Sequence, residues 1–177
     1  MNSRIDERKI SCLGIDPGLG RMGYGLVCIN THQYRVIGFG CIETPPKTDV
    51  ALRIHTIYDS LRTHIEQWKP DILSVEKLFF GRNITTAENV WQARGTVLLL
   101  AAQYGIPYYE PKPTQVKNAI CGTGNAGKIQ IQRMLQRLLD LSDIPRPDDA
   151  ADALAIAITG LALHSFETRR KGYAQNS

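Results

Sequence analysis

Three apolar runs near the amino terminus are separated by short polar or glycine-rich turns. Each run has the length of one buried strand, and together they occupy residues 10–15, 23–29 and 34–42. Strands that follow one another through such short turns pair antiparallel. The pattern therefore predicts a three-stranded antiparallel meander at the start of the chain.

The remainder of the chain alternates helical and strand-like patterns. Apolar residues recur every three or four positions from Asp49 to Trp68, which predicts an amphipathic helix that Pro70 ends. Two short apolar segments predict strands parallel to the first, at residues 72–76 and 107–110. Further helical patterns lie at 85–104, in a short segment after Pro113, at 129–141 and at 148–164, and the tail from Thr168 is expected to fray.

This order of elements predicts an α/β fold: a mixed five-stranded sheet of three antiparallel and two parallel strands, with helices on both faces. The 177 residues contain no repeat or low-complexity linker, so we expect a single domain at residues 10–166. Residues 1–9 are an extension without a signal-peptide pattern, and 167–177 are expected to be a flexible basic tail. The apolar stretch at 97–102 is too short to span a bilayer, so no membrane association is expected.

Four acidic residues stand at the ends of predicted elements. Asp16 and Glu76 end buried strands, while Asp149 and Asp152 lie three residues apart at the start of the last helix, with Asp148 as its expected N-cap. Neighbouring strands of an open α/β sheet bring such residues to one edge. Taken alone, however, Asp149 and Asp152 are also typical of a first helical turn without further function.

Gathered carboxylates repel one another and need a cation, and an all-oxygen ligand set favours Mg²⁺ or Mn²⁺. Two divalent ions held in this way suit in-line displacement at phosphorus. Covalent catalysis is disfavoured, because no Ser or Cys has a supporting His–Asp pair and the four histidines are scattered. The four cysteines lack zinc-ligand spacing and are expected to be free thiols in a reducing cytoplasm.

The net charge of +4 is unevenly distributed. Residues 111–139 contain no acidic residue and five basic ones: Lys112, Lys117, Lys128, Arg133 and Arg137. A basic surface beside an acidic pocket suits a polyanionic substrate. A solvated face without a binding partner would have the same composition.

Two adjacent aromatic residues, Phe79 and Phe80, follow Glu76 closely. If this segment is extended, its side chains alternate, so one ring is free to stack on an unpaired base. The alternative is that both rings pack beneath the next helix. In the first case Arg82, Asn83 and Arg94 could contact phosphates.

Several segments together resemble the RuvC-type Holliday junction resolvases. These are LGIDPG at 13–18, VEKLFFGRN at 75–83, QARG at 92–95, QVK at 115–117 and DAADALA at 149–155, and the resemblance covers about residues 10–163. It implies a ribonuclease-H-like fold, a homodimer, and Mg²⁺-dependent paired nicking of four-way DNA junctions that leaves 5′-phosphate and 3′-hydroxyl ends. It also implies a cytoplasmic role in recombination and repair beside a RuvA–RuvB branch-migration complex.

The resemblance also implies roles for individual residues. Asp16, Glu76, Asp149 and Asp152 would be the ligands of two Mg²⁺ ions per subunit, for which Mn²⁺ is expected to substitute. Lys128 would join them in the active site, Lys117 and Lys128 would bind DNA, and Phe79 would engage a base near the crossover. Two residues depart from the common pattern: Trp91 stands where many relatives have Gly, and Leu78 replaces a common Val.

Three other functions are compatible with parts of the same sequence pattern. The segment from Asp16 to Gly25 also resembles the first phosphate loop of actin/Hsp70/sugar-kinase ATP-binding proteins, although these clamp nucleotide between two such domains. Smaller RuvC-like nucleases that process ribosomal RNA share acids at similar places but not the segment around Phe79. A junction-binding protein without catalysis would not need all four carboxylates.

Overall fold

The sequence folds into five strands and five helices over the residues that the computed structural model describes, 9–30, 33–78 and 84–175. In chain order they are β1 (Ile10–Asp16), β2 (Arg21–Asn30), β3 (Gln33–Glu43), α1 (Val50–Trp68), β4 (Ile72–Val75), α2 (Ile84–Gln103), β5 (Tyr108–Tyr109), α3 (Pro113–Cys121), α4 (Lys128–Leu138) and α5 (Asp148–Gln175).

The strands form one mixed sheet in the order β3-β2-β1-β4-β5. The pairs β1–β2 and β2–β3 are antiparallel, whereas β1–β4 and β4–β5 are parallel. Helix α1 connects β3 to β4 and begins with the Asp49 side chain accepting a hydrogen bond from the Ala51 amide. The predicted meander, parallel strands and five-stranded mixed sheet are therefore confirmed.

Alternation of side chains along the central strands divides the core into two layers. Leu13 and Ile15 of β1 and Leu73 and Val75 of β4 pack in one hydrophobic cluster with α1 and α2. Cys12 and Ile72 pack on the other face, in a cluster with α3, α4 and α5. Asp16 is an even number of residues from Cys12, and Glu76 is an even number from Ile72. Their side chains therefore point to the same face as Cys12 and Ile72, the face covered by α5.

Helix α5 lies unusually close to the sheet because both surfaces carry small residues. A Cβ on Gly14 would lie 2.1 Å from the carbonyl oxygen of Ala153, and one on Gly23 would lie 1.9 Å from that of Asp149. On the helix, the residues at this contact include three buried alanines, Ala150, Ala153 and Ala157. Glycines thus let the backbone of α5 contact β1 and β2 directly.

Several helices and strands in the second half of the chain begin or end at residues other than those predicted. Helix α5 continues to Gln175, so the predicted helix end at residue 164 is wrong, whereas the flexibility expected at 167–177 stays a prediction. Asp148 is the first helical residue rather than the N-cap; the carbonyl of Pro147 accepts the first hydrogen bonds, from the Ala150 and Ala151 amides. Helix α4 ends at Leu138 and β5 has only two residues. The division of the chain at residues 10 and 166 stays a prediction.

Among the described residues, one helix is long and apolar enough to cross a membrane, Asp148–Gly172 of α5. Its apolar residues from Ala150 to Leu161 are almost all buried against the sheet and α3. The high hydropathy of α5 therefore reflects its position as the central helix of the domain.

Replacing Gly14 with Ala is expected to destabilise the protein by about 3 kcal/mol or more, because the added methyl group meets backbone atoms that no side-chain rotation can move. Urea unfolding measures the change. The matched control is Gly172→Ala, where an added Cβ meets nothing within 4 Å and helix propensity favours Ala by up to about 1 kcal/mol. Equal stability of the two variants would contradict the close packing of α5.

Candidate active site

Asp16 and Glu76 become neighbours through the register of two parallel strands. Ile15 of β1 pairs with Val75 of β4, and the two acidic residues are the next residues along their chains. Because the strands run in the same direction, their carboxyl ends meet at the same edge of the sheet. Sequence alone placed each acid at a strand end, whereas the register places them side by side.

The amino-terminal turns of α5 complete the acidic group. Asp149 and Asp152 lie on adjoining parts of one helix face, and the contact between Gly23 and the Asp149 carbonyl holds this end of the helix against β2. Gly23 in turn pairs with Asp16 across the β1–β2 ladder. The helix start is therefore fixed beside the end of β1.

Three of the four carboxylates share one cavity of about 160 Å³. It is lined by Asp16, Glu76 and Asp152, by Lys117 of α3, and by apolar side chains from α3, α4 and α5. The three acids are half-buried rather than exposed. The cavity thus combines an all-oxygen set of ligands with a partly apolar wall and one cation.

The environment of these acids opposes their ionisation. Burial, followed by the charges of Asp152, Glu76 and Asp149, raises the pKa of Asp16 to about 7. Burial and the Asp152 charge raise the pKa of Glu76, which Lys117 partly offsets. Burial also raises the pKa of Asp152, against the lowering effect of Lys128. The same charges act on several members of the group, as expected for carboxylates that share a site.

Asp149 is turned away from this cavity toward an arginine. Its Oδ2 lies 2.9 Å from Nη2 of Arg21, and Nη1 of the same guanidinium lies 3.8 Å from Glu43 Oε1. Arg21 opens β2 directly opposite Glu43. Sequence reasoning missed Arg21, because a lone arginine at the start of a strand gives no signal until that strand is folded against α5.

The two lysines predicted for the site both lie beside the acidic group. Lys117 lines the cavity and is half-buried. Lys128, the first residue of α4, is exposed; its Nζ lies 3.0 Å from Asp148 Oδ2 and 4.0 Å from Asp152 Oδ2. Asp148 also accepts a hydrogen bond from Gln132, so its side chain links α5 to α4. The structure thus brings Lys117 and Lys128 to the acidic group, and their roles stay predictions.

Arg94 lies away from the acidic cavity. Its guanidinium forms an ion pair with Glu110 and stands 5.4 Å from the ring centroid of Trp91. Only 12% of the Arg94 side chain is exposed, so a direct phosphate contact would require this pair to open. Trp91, which departs from the common pattern, supplies the ring that covers Arg94. The predicted residues Phe79, Arg82 and Asn83 lie outside the described residues.

The donor set fits a divalent cation, although the side chains do not form a ready-made cage. Within the described ranges, no three His, Cys, Asp or Glu side chains converge closely enough to ligate one ion as they stand. Burial raises the pKa of Asp16, and repulsion from the neighbouring carboxylates raises it further. A bound cation would reverse this repulsion, and oxygen ligands of this kind select Mg²⁺ or Mn²⁺.

Comparison with known proteins assigns the chain to a family. The family model described as crossover junction endodeoxyribonuclease RuvC matches residues 12–160. The chain belongs to the RuvC family. The matched range contains Asp16, Glu76, Asp149 and Asp152 together with both lysines of the site.

Individual RuvC proteins are similar over nearly their full length. The protein from Pseudothermotoga lettingae is 45% identical over 157 residues, which is 89% of this chain and 96% of the relative. That from Chloroflexus aurantiacus is 51% identical over 146 residues, covering 82% and 89%. The Thermus thermophilus RuvC structure in complex with Holliday junction substrate has a TM-score of 0.83 and 34% identity, covering 92% and 96%.

The comparisons confirm the resemblance and the ribonuclease-H-like fold. The yeast mitochondrial resolvase Ydc2 shares this fold with a TM-score of 0.65 at 14% identity. Membership of the RuvC family disfavours the ATP-binding and ribosomal-RNA nuclease alternatives. The expectation of free cysteines is also met, since Cys12, Cys28, Cys41 and Cys121 form no disulfide.

Asp16→Asn is expected to change how the stability of the metal-free protein depends on pH. The pKa of Asp16 rises from 3.8 to about 7 on folding, so the folded protein binds more protons than the unfolded chain between these values. Stability therefore falls as pH rises through this window, by roughly 2–4 kcal/mol, and asparagine removes the fall.

The measurement is urea unfolding at pH 4 and pH 8 in the presence of a chelator. The advantage of Asp16→Asn over the parent protein should appear at pH 8 and be absent at pH 4. Asp140→Asn, at an exposed turn remote from the acidic group, is the matched control. An advantage of equal size at both pH values would show that the Asp16 carboxylate is not held in a repulsive site.

Proposed function

We propose that this protein is a Mg²⁺-dependent endonuclease that resolves four-way DNA junctions by paired, symmetric nicks during recombination and repair. The observation that carries the proposal is the shared cavity of Asp16, Glu76 and Asp152 beside the start of α5. Membership of the RuvC family and the likeness to a RuvC bound to Holliday junction substrate support the choice of substrate.

In the proposed mechanism the chain supplies ligands, orientation and charge. Asp16, Glu76, Asp149 and Asp152 would hold two Mg²⁺ ions, which Mn²⁺ can replace. Ions bound in this way supply a hydroxide from water and stabilise the leaving 3′ oxygen. Asp149 would exchange its ion pair with Arg21 for this role, while Lys117 and Lys128 would hold the phosphate oxygens in place.

The products follow from which bond breaks. The oxygen of water forms a bond to phosphorus, and the bond from phosphorus to the 3′ oxygen breaks. The leaving oxygen takes up a proton, so the ends are a 5′-phosphate and a 3′-hydroxyl. No covalent intermediate with the protein is formed in this mechanism, because water is the nucleophile.

Contacts with DNA are proposed on both sides of the cavity. Lys117 and Lys128 would bind the backbone near the cut, because they already flank the acids. Phe79 would engage a base at the crossover, with Arg82 and Asn83 on nearby phosphates. Arg94 would act on this surface through its ion pair with Glu110, or contact phosphate after that pair opens.

Two symmetric nicks require two active sites, and an exposed stripe on α2 supports a homodimer. Gly95, Leu99 and Ala102 are spaced four and three residues apart on one face of this helix, and all three are exposed. Leu99 is 51% exposed and an added Cβ on Gly95 would meet nothing within 4 Å. Small and apolar residues of this kind suit close packing against the same helix of a second copy. In the cytoplasm the dimer would act with a RuvA–RuvB complex.

Asp16→Asn is expected to lower junction cleavage by at least about a thousandfold, since it weakens the ligand set for both ions. Binding of a labelled four-way junction in Ca²⁺ should stay within about twofold, because no DNA-contacting cation is removed. Gel analysis of cleavage and a filter or fluorescence binding assay measure the two quantities. Mg²⁺-dependent nicking by the variant at the parent rate would remove Asp16 from the mechanism.

Leu99→Glu is expected to weaken self-association at least about a hundredfold, because a symmetric interface places the charge in both copies. Sedimentation equilibrium measures the change. Leu52→Glu is the matched control, since Leu52 is 60% exposed on α1, away from the stripe. If Leu99→Glu dimerises as well as the control, α2 is not the interface; if it is monomeric, junctions should be nicked on single strands without paired cuts.

A further inference from the structure

A basic groove runs along the outer face of α4, separate from the acidic cavity. It has a volume of about 730 Å³ and is lined by Gly127, Lys128, Ile129, Gln130, Arg133, Met134 and Arg137. The spacing of Gln130, Arg133 and Arg137 places them on one helix face. We call this surface the α4 groove.

The groove and the acidic cavity occupy different sides of the same helix. Ile131 of α4 lines the acidic cavity, and successive residues turn by about 100° around a helix. Gln130, Arg133 and Arg137 are therefore all turned away from Ile131 by roughly that angle or more. Lys128 alone lines the groove and also approaches the acids, at 4.0 Å from Asp152.

The two arginines of the groove carry uncompensated charge. Arg133 and Arg137 are exposed and have no ion-pair partner within the described part of the chain, whereas Arg21, Arg62 and Arg94 all pair with carboxylates. No acidic residue occurs between Glu110 and Asp140. Ile129 adds an apolar side chain that is 64% exposed beside these cations.

We propose that the α4 groove binds the sugar–phosphate backbone of a second duplex arm of the junction, one that is not cut in the adjacent cavity. From Lys128 to Arg137 the helix spans about 14 Å, which corresponds to the backbone of about four base pairs. Arg133 and Arg137 contact phosphates, and Ile129 packs against deoxyribose. Lys128 lies where the groove and the cavity meet, so it is near both the held arm and the cut strand.

This inference rests on the proposed junction cleavage, but it concerns binding and is tested separately. It also gives a physical reason for preferring a branched substrate over a linear one. A linear duplex that fills the cleavage cavity has no second arm, whereas a four-way junction directs other arms outward from the crossover. The preference for a junction over a linear duplex then comes partly from a contact that only a branched molecule can make.

The experiment measures equilibrium binding in Ca²⁺ by the parent protein and by the double variant Arg133→Ala with Arg137→Ala. The DNA probes are a linear duplex and four-way junctions with arms of about two helical turns or about half a turn. The variant should bind the long-armed junction roughly tenfold more weakly, with the salt dependence reduced by about two ions, and the linear duplex within about twofold.

The most discriminating measurement is how the binding affinity depends on the length of the junction arms. Shortening the arms should weaken binding by the parent protein but cause little further loss in the double variant, because the contact is already absent. Arg133→Lys with Arg137→Lys should restore most of the affinity, since charge suffices for phosphate. The control is Arg169→Ala with Arg170→Ala, which removes equal charge about 25 Å along α5 from Asp152.

The outcomes separate the alternatives. Unchanged junction affinity, an equal loss on the linear duplex, or an equal loss in the Arg169 and Arg170 control would each overturn the α4 groove as an arm-binding surface. If the parent protein binds junctions with this arm dependence but cuts none of them, the proposed cleavage fails while the groove stands.

Discussion

The backbone contact between α5 and the sheet is the constraint on which the site depends. Two glycines of the central strands allow the helix to contact β1 and β2. The helix also presents small side chains at this contact, because the residues there include alanines. A larger residue at Gly14 or Gly23 would push the helix outward by about 1 Å, because a Cβ essentially never lies within 3.0 Å of another heavy atom. Asp149 and Asp152 would then lie farther from Asp16 and Glu76.

The gathered acids destabilise the fold locally, and the protein accommodates them in two ways. The acids occupy only the edge of the sheet, while the apolar clusters on both faces are otherwise continuous. Nearby cations also neutralise part of the charge: Arg21 pairs with Asp149, and Lys128 pairs with Asp148 and approaches Asp152. Grouping partly buried acids in this way costs stability, which is a common relation between stability and a functional site.

Charge in this protein is arranged in zones. The acids lie in a half-buried cavity, lysines stand at its margins, and arginines continue along the outside of α4. Salt screens exposed charges more than buried ones, so the outer arginines are screened more strongly than the half-buried acids. The outer surface can thus attract a polyanion at a place other than the acidic cavity.

The sequence by itself determined the helices and strands and their order. Apolar periodicity, Pro70 and the turn residues act locally, so their effect does not depend on distant parts of the chain. The sequence also placed the four acids at element ends, because a carboxylate that closes a buried run is conspicuous without any neighbours. Only the tertiary structure decided that Ile15 pairs with Val75, that α5 touches Gly23, that Asp149 faces Arg21 and that Arg94 is engaged by Glu110. The α5 length and the role of Asp148 were likewise decided by packing. The reason is physical: periodicity reports which side of an element is apolar, whereas ion pairs and backbone contacts depend on which distant segments meet, and that is a property of the whole fold.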